Sequence, residues 1–118
     1  VECVDNDETA AVVASLLRAR TLLILMSVEG IYARADDPST LVETITGADA
    51  QEVVRRMTEL QDACVGASRR GAGGAWAKLQ FMKEPVLAGT QVIIGHARYT
   101  IDDLLHGNAP CTRIGVGL

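Results

Sequence analysis

The sequence predicts an α/β protein, a three-layer α/β/α sandwich around a mostly parallel sheet, and three observations carry that expectation. Leu22 to Ser27 is a continuous apolar run after Arg20-Thr21, suited to a strand buried on both faces of a parallel sheet. Ala50 to about Cys64 reads as an amphipathic helix, with Val53, Met57, Leu60 and Cys64 inward and Arg55, Arg56, Glu59 and Asp62 outward. Gln91 to Gly95 then repeats the apolar strand pattern behind a second helical segment.

The bulk composition fits one globular domain of 118 residues, 48% hydrophobic and 22% charged. Aromatic residues make up only 3%, so Ala, Val, Leu and Ile must build the core. A net charge of -4 argues against nucleic acid or an anionic membrane as a general partner. The longest wholly apolar run, Leu22 to Met26, is far short of the roughly 20 residues a membrane helix needs. No signal peptide is visible, and Cys3, Cys64 and Cys111 are widely spaced and odd in number. Reduced thiols in a cytoplasmic protein are therefore expected rather than a disulfide framework. Neither His96 nor His106 has a cysteine or carboxylate cluster at zinc spacing, so no structural metal is expected. The chain opens on Val1, with no methionine, inside an apolar stretch, which predicts either that residues were removed or that it is part of a larger protein.

In chain order, Val1 to Val4 reads as a strand end and Asp5-Asn6-Asp7 as its punctuation. A helix is expected to follow through about Ala19, with Ala10, Val13, Ala14 and Leu17 on its inner face. Two readings of the acidic triplet stand side by side. Acidic residues cap helix N–H groups and complement the dipole; equally, a strand end delivers them to the carboxyl edge of a sheet, where ligands bind in open α/β folds. Arg34 to Thr40 is a turn-rich loop and Leu41 to Ile45 a candidate short strand. After the Ala50 helix comes a second helix to about Leu87, which Pro85 should bend or end, with Gly89 as the stop. The strand from Gln91 leads into a short helix Ile101 to Leu105 ending at Gly107, and Thr112 to Val116 is the last strand.

The stretch richest in chemistry is Gly71-Ala72-Gly73-Gly74-Ala75-Trp76-Ala77-Lys78. Three glycines in four residues disfavour a helix interior or a strand, and they let a ligand approach backbone N–H groups. Helical spacing begins directly behind them at Ala75, Leu79, Met82 and Val86. A loop feeding a helix N-terminus is an anion site, with Lys78 projecting from the first turn. A mobile glycine loop with a surface lysine accounts for these residues equally well. The run is neither a Walker loop nor a Rossmann fingerprint.

It does resemble the Gly-Thr-Gly-Gly-Met-x-Thr-Lys-Leu loop of glutamate 5-kinases, in the amino-acid kinase family. Gly71, Gly73, Gly74, Lys78 and Leu79 match in register; Ala72, Ala75 and Ala77 depart from it. Asp5-Asn6-Asp7 with Ala10 to Ala14 resembles the family's Gly-Asp-Asn-Asp and the helix after it, with Val4 in place of the glycine. Leu22 to Ser27 with Gly30-Ile31-Tyr32 resembles the strand Leu-Leu-Thr-Asp followed by Gly-Leu-Tyr, although Met26-Ser27 replaces a Thr-Asp pair that contacts nucleotide in the family.

The resemblance covers essentially the whole chain but only the C-terminal, nucleotide-binding part of the family fold, so residues 1–118 are expected to be one lobe whose N-terminal partner lobe is missing. It implies an ATP-dependent, cytoplasmic kinase of proline biosynthesis that phosphorylates a small carboxylate such as glutamate, with Mg2+ on the phosphates. Lys78 and Asp7 would be catalytic and Asn6 would hold substrate. Ser27 and the run Ala72, Gly73, Gly74, Ala75, Trp76, Ala77 and Lys78 would hold nucleotide. The lone lobe should be nearly inactive, and it should pair with the missing half or with itself. The alternatives are a kinase with another acceptor, such as a nucleoside monophosphate, and a non-catalytic nucleotide-binding or assembly module.

Overall fold

The structure is a computed structural model that describes residues 13, 16, 17, 19–33, 38–63 and 73–118. Four strands, β1 (Thr21–Met26), β2 (Thr44–Gly47), β3 (Gln91–His96) and β4 (Cys111–Val116), form one sheet in the order β1-β3-β4-β2. β1 runs parallel to β3 from Thr21↔Gln91 to Met26↔His96, and β2 runs parallel to β4. The central pair β3–β4 is antiparallel, so the sheet is mixed although two of its three pairings are parallel. Among the described residues, three α-helices with defined bounds accompany it: α1 (Ala50–Ala63), α2 (Gly73–Leu87) and α3 (Ile101–Leu105).

Helices cover both faces of the sheet, as the layered fold requires. On one face Val53 and Met57 of α1 and Leu79, Met82 and Val86 of α2 are buried with Ile24, Val92, Ile94 and Ile114 of the strands. The inward residues of each helix recur at helical spacing, which is why that reading of the sequence succeeds for both. On the other face a smaller cluster joins Leu104 of α3 to Ile93 and Cys111, with Leu23 and Tyr99 packed against it.

Local chemistry sets the element ends. Asp49 caps α1 by accepting from Glu52 N (2.8 Å), while Glu52 Oε1 reaches back to accept from Ala48 N (2.7 Å), a near-reciprocal capping box. Thr100 caps α3 by accepting from Asp103 N, and Arg113 Nη2 donates to the last carbonyls of that helix, Leu104 O and Leu105 O. Beyond α2, Gly89 takes a φ of 94°, the left-handed turn glycine enters at least cost. Thr90 N donates to Pro85 O and Gln91 N to Arg20 O, so the chain turns directly from α2 into β3.

Several expectations need correction. Ile24 alone is fully buried in β1, while Leu25 is 46% exposed. A parallel strand is buried on both faces only where helices cover both, and the five-residue α3 is too short to reach Leu25. Val13 and Leu17 are 47% and 75% exposed rather than inward, because no described element lies over them. The short strand is Thr44–Gly47 rather than Leu41 to Ile45; Leu41 forms only an isolated bridge with Tyr32. Pro85 is accommodated inside α2, where it removes one donor near the helix end, and the stop comes at Gly89. The expected strand at Val1 to Val4, residues 34–37 and Cys64 lie outside the described residues.

One close approach fixes the loop after β1. Thr112, fully buried in β4, accepts from Ile31 N (2.8 Å) and donates to Val42 O (2.6 Å). A Cβ at Gly30 would collide with that same Thr112 Oγ1 and lie 3.0 Å from Thr112 N. Gly30→Ala should therefore lower stability by about 1–3 kcal/mol, the usual cost of overpacking. Urea unfolding would register this as a lower midpoint at unchanged slope; an unchanged midpoint would show that Thr112 yields freely.

Candidate functional site

Two parallel strands that end in register define a ligand edge. β1 and β3 end together at Met26 and His96, and Ala97 N extends the ladder by donating to Met26 O (2.8 Å). The first turn of α2 belongs at the same edge. Its C-terminal end turns directly into the start of β3, so the helix runs back along the strand. Fifteen helical residues span about 22 Å and six strand residues about 20 Å, so Gly73 comes level with the strand ends.

This placement corrects the reading of the glycines. Gly73, Gly74, Ala75 and Trp76 form the first turn of α2 rather than the loop that feeds it. The first turn of a helix has N–H groups without intrahelical partners, so the donors of an anion site here would belong to the helix itself. Ala77 and Lys78 are half-buried and fall in the second turn, not the first. At that depth the dipole penalty on a cation has faded, which removes the argument that a bound phosphate must compensate it. Helical side chains lean toward the N-terminus, so Lys78 remains directed back toward the first turn. Ser27 is exposed, one residue beyond β1 at the same edge. Asn6, Asp7, Gly71 and Ala72 lie outside the described residues, so no geometry joins them to Lys78.

The edge also carries a polar cluster that motif reading missed. Tyr99 OH donates to Glu29 Oε2 at 2.5 Å, and Arg98 Nη2 donates to Glu29 Oε2 (3.1 Å) and to Tyr99 OH (2.9 Å). His96 Nδ1 accepts from Arg98 N (3.0 Å), and its ring meets Tyr99 edge-on. Glu29 N donates to Tyr32 OH (3.2 Å). The signal that could have found this cluster is the strand register. Glu29 and Tyr99 each sit three residues past paired strand ends, Met26 and His96, so parallel pairing of the two apolar runs brings them level.

The electrostatics follow from these bonds. The Tyr99 hydroxyl foremost, then the Arg98 guanidinium, and last His96, hold the Glu29 carboxyl below its ordinary value against the opposing cost of desolvation. Among the described residues, no three His, Cys, Asp or Glu side chains converge as a metal site. None of the helices there is long and apolar enough to cross a membrane.

A model of the amino acid kinase family matches residues 2–96. The chain is 34% identical over 113 residues to glutamate 5-kinase of Thermoanaerobacter sp. (strain X514), covering 94% of this chain and 28% of that protein. It is 33% identical over 112 residues to glutamate 5-kinase of Dehalococcoides mccartyi (strain CBDB1), covering 92% of this chain and 29% of the relative. The chain thus spans under a third of the length of the curated relatives it matches. Among solved structures, carbamate kinase from Giardia lamblia bound to AMP-PNP superposes with a TM-score of 0.68 at 25% identity. That match covers 98% of this chain and 34% of the carbamate kinase.

A depressed carboxyl predicts the sign of a pH effect. At pH values between the folded and unfolded Glu29 values the unfolded chain binds more protons, so stability falls as pH falls. Glu29→Gln should be less stable than the parent at pH 7. The gap should hold down to the ordinary carboxylate value of 4.5 and close below it, as Glu29 itself protonates. Urea titrations of both proteins across this range test the sign; a gap that widens in acid would contradict it.

Proposed function

Because the chain belongs to the amino acid kinase family, we propose that the protein carrying it transfers the γ-phosphoryl group of ATP to a carboxylate. Glutamate is the proposed acceptor, glutamyl 5-phosphate and ADP are the products, and this chain supplies the nucleotide-binding part. The observation that carries this reading is the first turn of α2 standing at the shared carboxyl edge of β1 and β3. Likeness to curated glutamate 5-kinases over 94% of the chain favours glutamate over other acceptors.

Phosphoryl transfer asks a protein mainly to position two substrates and to stabilise charge on the moving group. The N–H groups at the start of α2, through Gly73, Gly74 and Ala75, would hold the β- and γ-phosphates. Lys78 would lie against the transferring group, where a cation lowers the energy of the spreading negative charge. Asp7 would orient that lysine and Asn6 would hold the acceptor. Magnesium would enter with the nucleotide, keeping phosphate and water ligands, as is usual for this ion. The acceptor's remaining contacts, and a proline-biosynthetic role, belong to the protein beyond this chain.

One observation favours a second reading, a nucleotide-binding or assembly module without catalysis. Position 27, where the family resemblance leads one to expect a nucleotide-contacting aspartate, is an exposed serine.

Two measurements separate these readings. Lys78→Ala should weaken ATP binding by roughly ten- to a hundredfold, the worth of one charge-assisted bond. Arg70→Ala serves as the control for a general loss of positive charge; equal losses in both variants would make the lysine effect nonspecific. In an acyl-hydroxamate assay, the protein carrying this chain should consume ATP in the presence of glutamate. The isolated 118-residue chain should fall far below the roughly 1–100 per second usual for kinases. ATP binding without turnover in the full protein would leave the module reading standing instead.

A further inference from the structure

Arg98 is the described cation that stands immediately beyond the paired ends of β1 and β3. Its guanidinium is anchored through one nitrogen only, Nη2, which donates to Glu29 Oε2 and Tyr99 OH. Its carbon lies 5.0 Å from the centre of the Tyr99 ring, so the plane is held by an aromatic face as well. The remaining donors, on Nη1 and Nε, meet no partner among the described residues, and the side chain is 60% exposed. Glu29, by contrast, is only 24% exposed and is itself fixed by bonds from a residue 70 positions away.

A guanidinium used only as a structural tie gains little by exposure, since an exposed ion pair contributes at most about 1 kcal/mol. Anchoring one nitrogen to a carboxylate and a phenol achieves something else: it removes the rotamer freedom of a long side chain before a ligand arrives. The free edge of the fork then keeps exposed donors in the fixed geometry that suits a phosphate. The backbone N–H of Arg98 is also engaged, by His96 Nδ1, so the main chain at this point is held too.

We propose that Arg98 is a phosphate-binding residue of the nucleotide site, presented at the carboxyl edge of β1 and β3 by Glu29 and Tyr99. This deepens the kinase reading and rests on it. Arg98 supplies charge from the loop after β3, separate from the first turn of α2, and Glu29 and Tyr99 act as positioning residues behind it.

The test titrates MgATP and adenosine into the protein carrying this chain and into its Arg98→Ala, Arg98→Lys and Tyr99→Phe variants, with Lys78→Ala alongside. Arg98→Ala should weaken ATP binding roughly ten- to a hundredfold and leave adenosine binding unchanged. Arg98→Lys should recover only part of the loss, because a point charge lacks the fork. Tyr99→Phe keeps the ring and removes the hydroxyl, and should weaken ATP binding to a smaller degree than Arg98→Ala. If Arg98→Ala lowers the melting temperature but leaves ATP affinity intact while Lys78→Ala weakens it, Arg98 is a structural tie and the inference alone fails. Equal losses for ATP and adenosine would also overturn it, since the contact would then be to the nucleoside. If the parent protein binds no nucleotide, the kinase reading and this inference fall together.

Discussion

The in-register parallel pairing of β1 with β3 is the constraint from which the rest of this molecule follows. Six consecutive pairs, from Thr21↔Gln91 to Met26↔His96, join segments about seventy residues apart in sequence. Hydrogen bonds continue past both ends, from Gln91 N to Arg20 O and from Ala97 N to Met26 O. Parallel neighbours cannot be joined by a tight turn, so the intervening chain must cross over the sheet. The crossover contains β2, α1 and α2, and it ends by bringing α2 back along β3. Once the two strand ends are level, everything that follows them is level too: Ser27 with Ala97, and Glu29 with Tyr99. The polar cluster at the edge is a consequence of strand register before it is a consequence of side-chain chemistry.

Packing then decides which side of the sheet is rigid. The face under α1 and α2 carries the larger apolar cluster, fully buried at Val53, Met57, Leu79, Met82, Val92 and Ile94. Each such side chain contributes roughly 1.5–3 kcal/mol when removed from water. Among the described residues the α3 face holds a smaller cluster, and Leu25, Ile101 and Leu105 are partly exposed. The proposed phosphate-binding role of the α2 start would need a backbone that does not shift under load, and α2 is seated on the face with the larger described cluster. Gln61 and Gln80 bond between α1 and α2 (3.3 Å), adding direction to the contact. Gln61 itself is buried, a polar side chain in the inner row that the helix pattern of apolar residues did not flag.

Much of this fold was legible in the sequence because its signals are local. Helical spacing located α1 within a residue of its observed end, and the apolar runs located β1, β3 and β4 to within a residue. The short α3 was readable from Ile101 to Leu105, and Gly107, at φ 75°, follows it. What could not be read was relational. The antiparallel β3–β4 pair depends on which edges meet, and a strand's own pattern does not encode its neighbour's direction. The start of α2 was placed two residues late because glycine's intrinsic cost argues against helix. At the first two helical positions the N–H groups are unpaired in any case, and the seat of α2 on the core outweighs that cost. The role of Gly30 came to light only with Thr112, 82 positions on, pressed against it. The candidate site was legible in part: the motif pointed to Gly73, Gly74 and Lys78 at one edge, while Glu29, Arg98 and Tyr99 belong to no motif.

The charge of the chain makes local geometry matter more than composition. With a net charge of -4, its overall field opposes a polyphosphate rather than attracting one. Screening confines that opposition to about 8 Å at physiological ionic strength, so what a phosphate meets on arrival is set by groups in direct reach. At the shared edge of β1 and β3 those groups are modest individually: the unpaired N–H groups of a helix start, a half-buried lysine in the next turn, and an anchored guanidinium. Ser27, where the family resemblance leads one to expect an aspartate, fits the same balance. It leaves Glu29 as the nearest carboxylate following β1, and Tyr99 and Arg98 already occupy that carboxylate. A strand end that would otherwise repel an anion is thereby neutralised by its own neighbours, and the donors around it would be left to act on the proposed ligand.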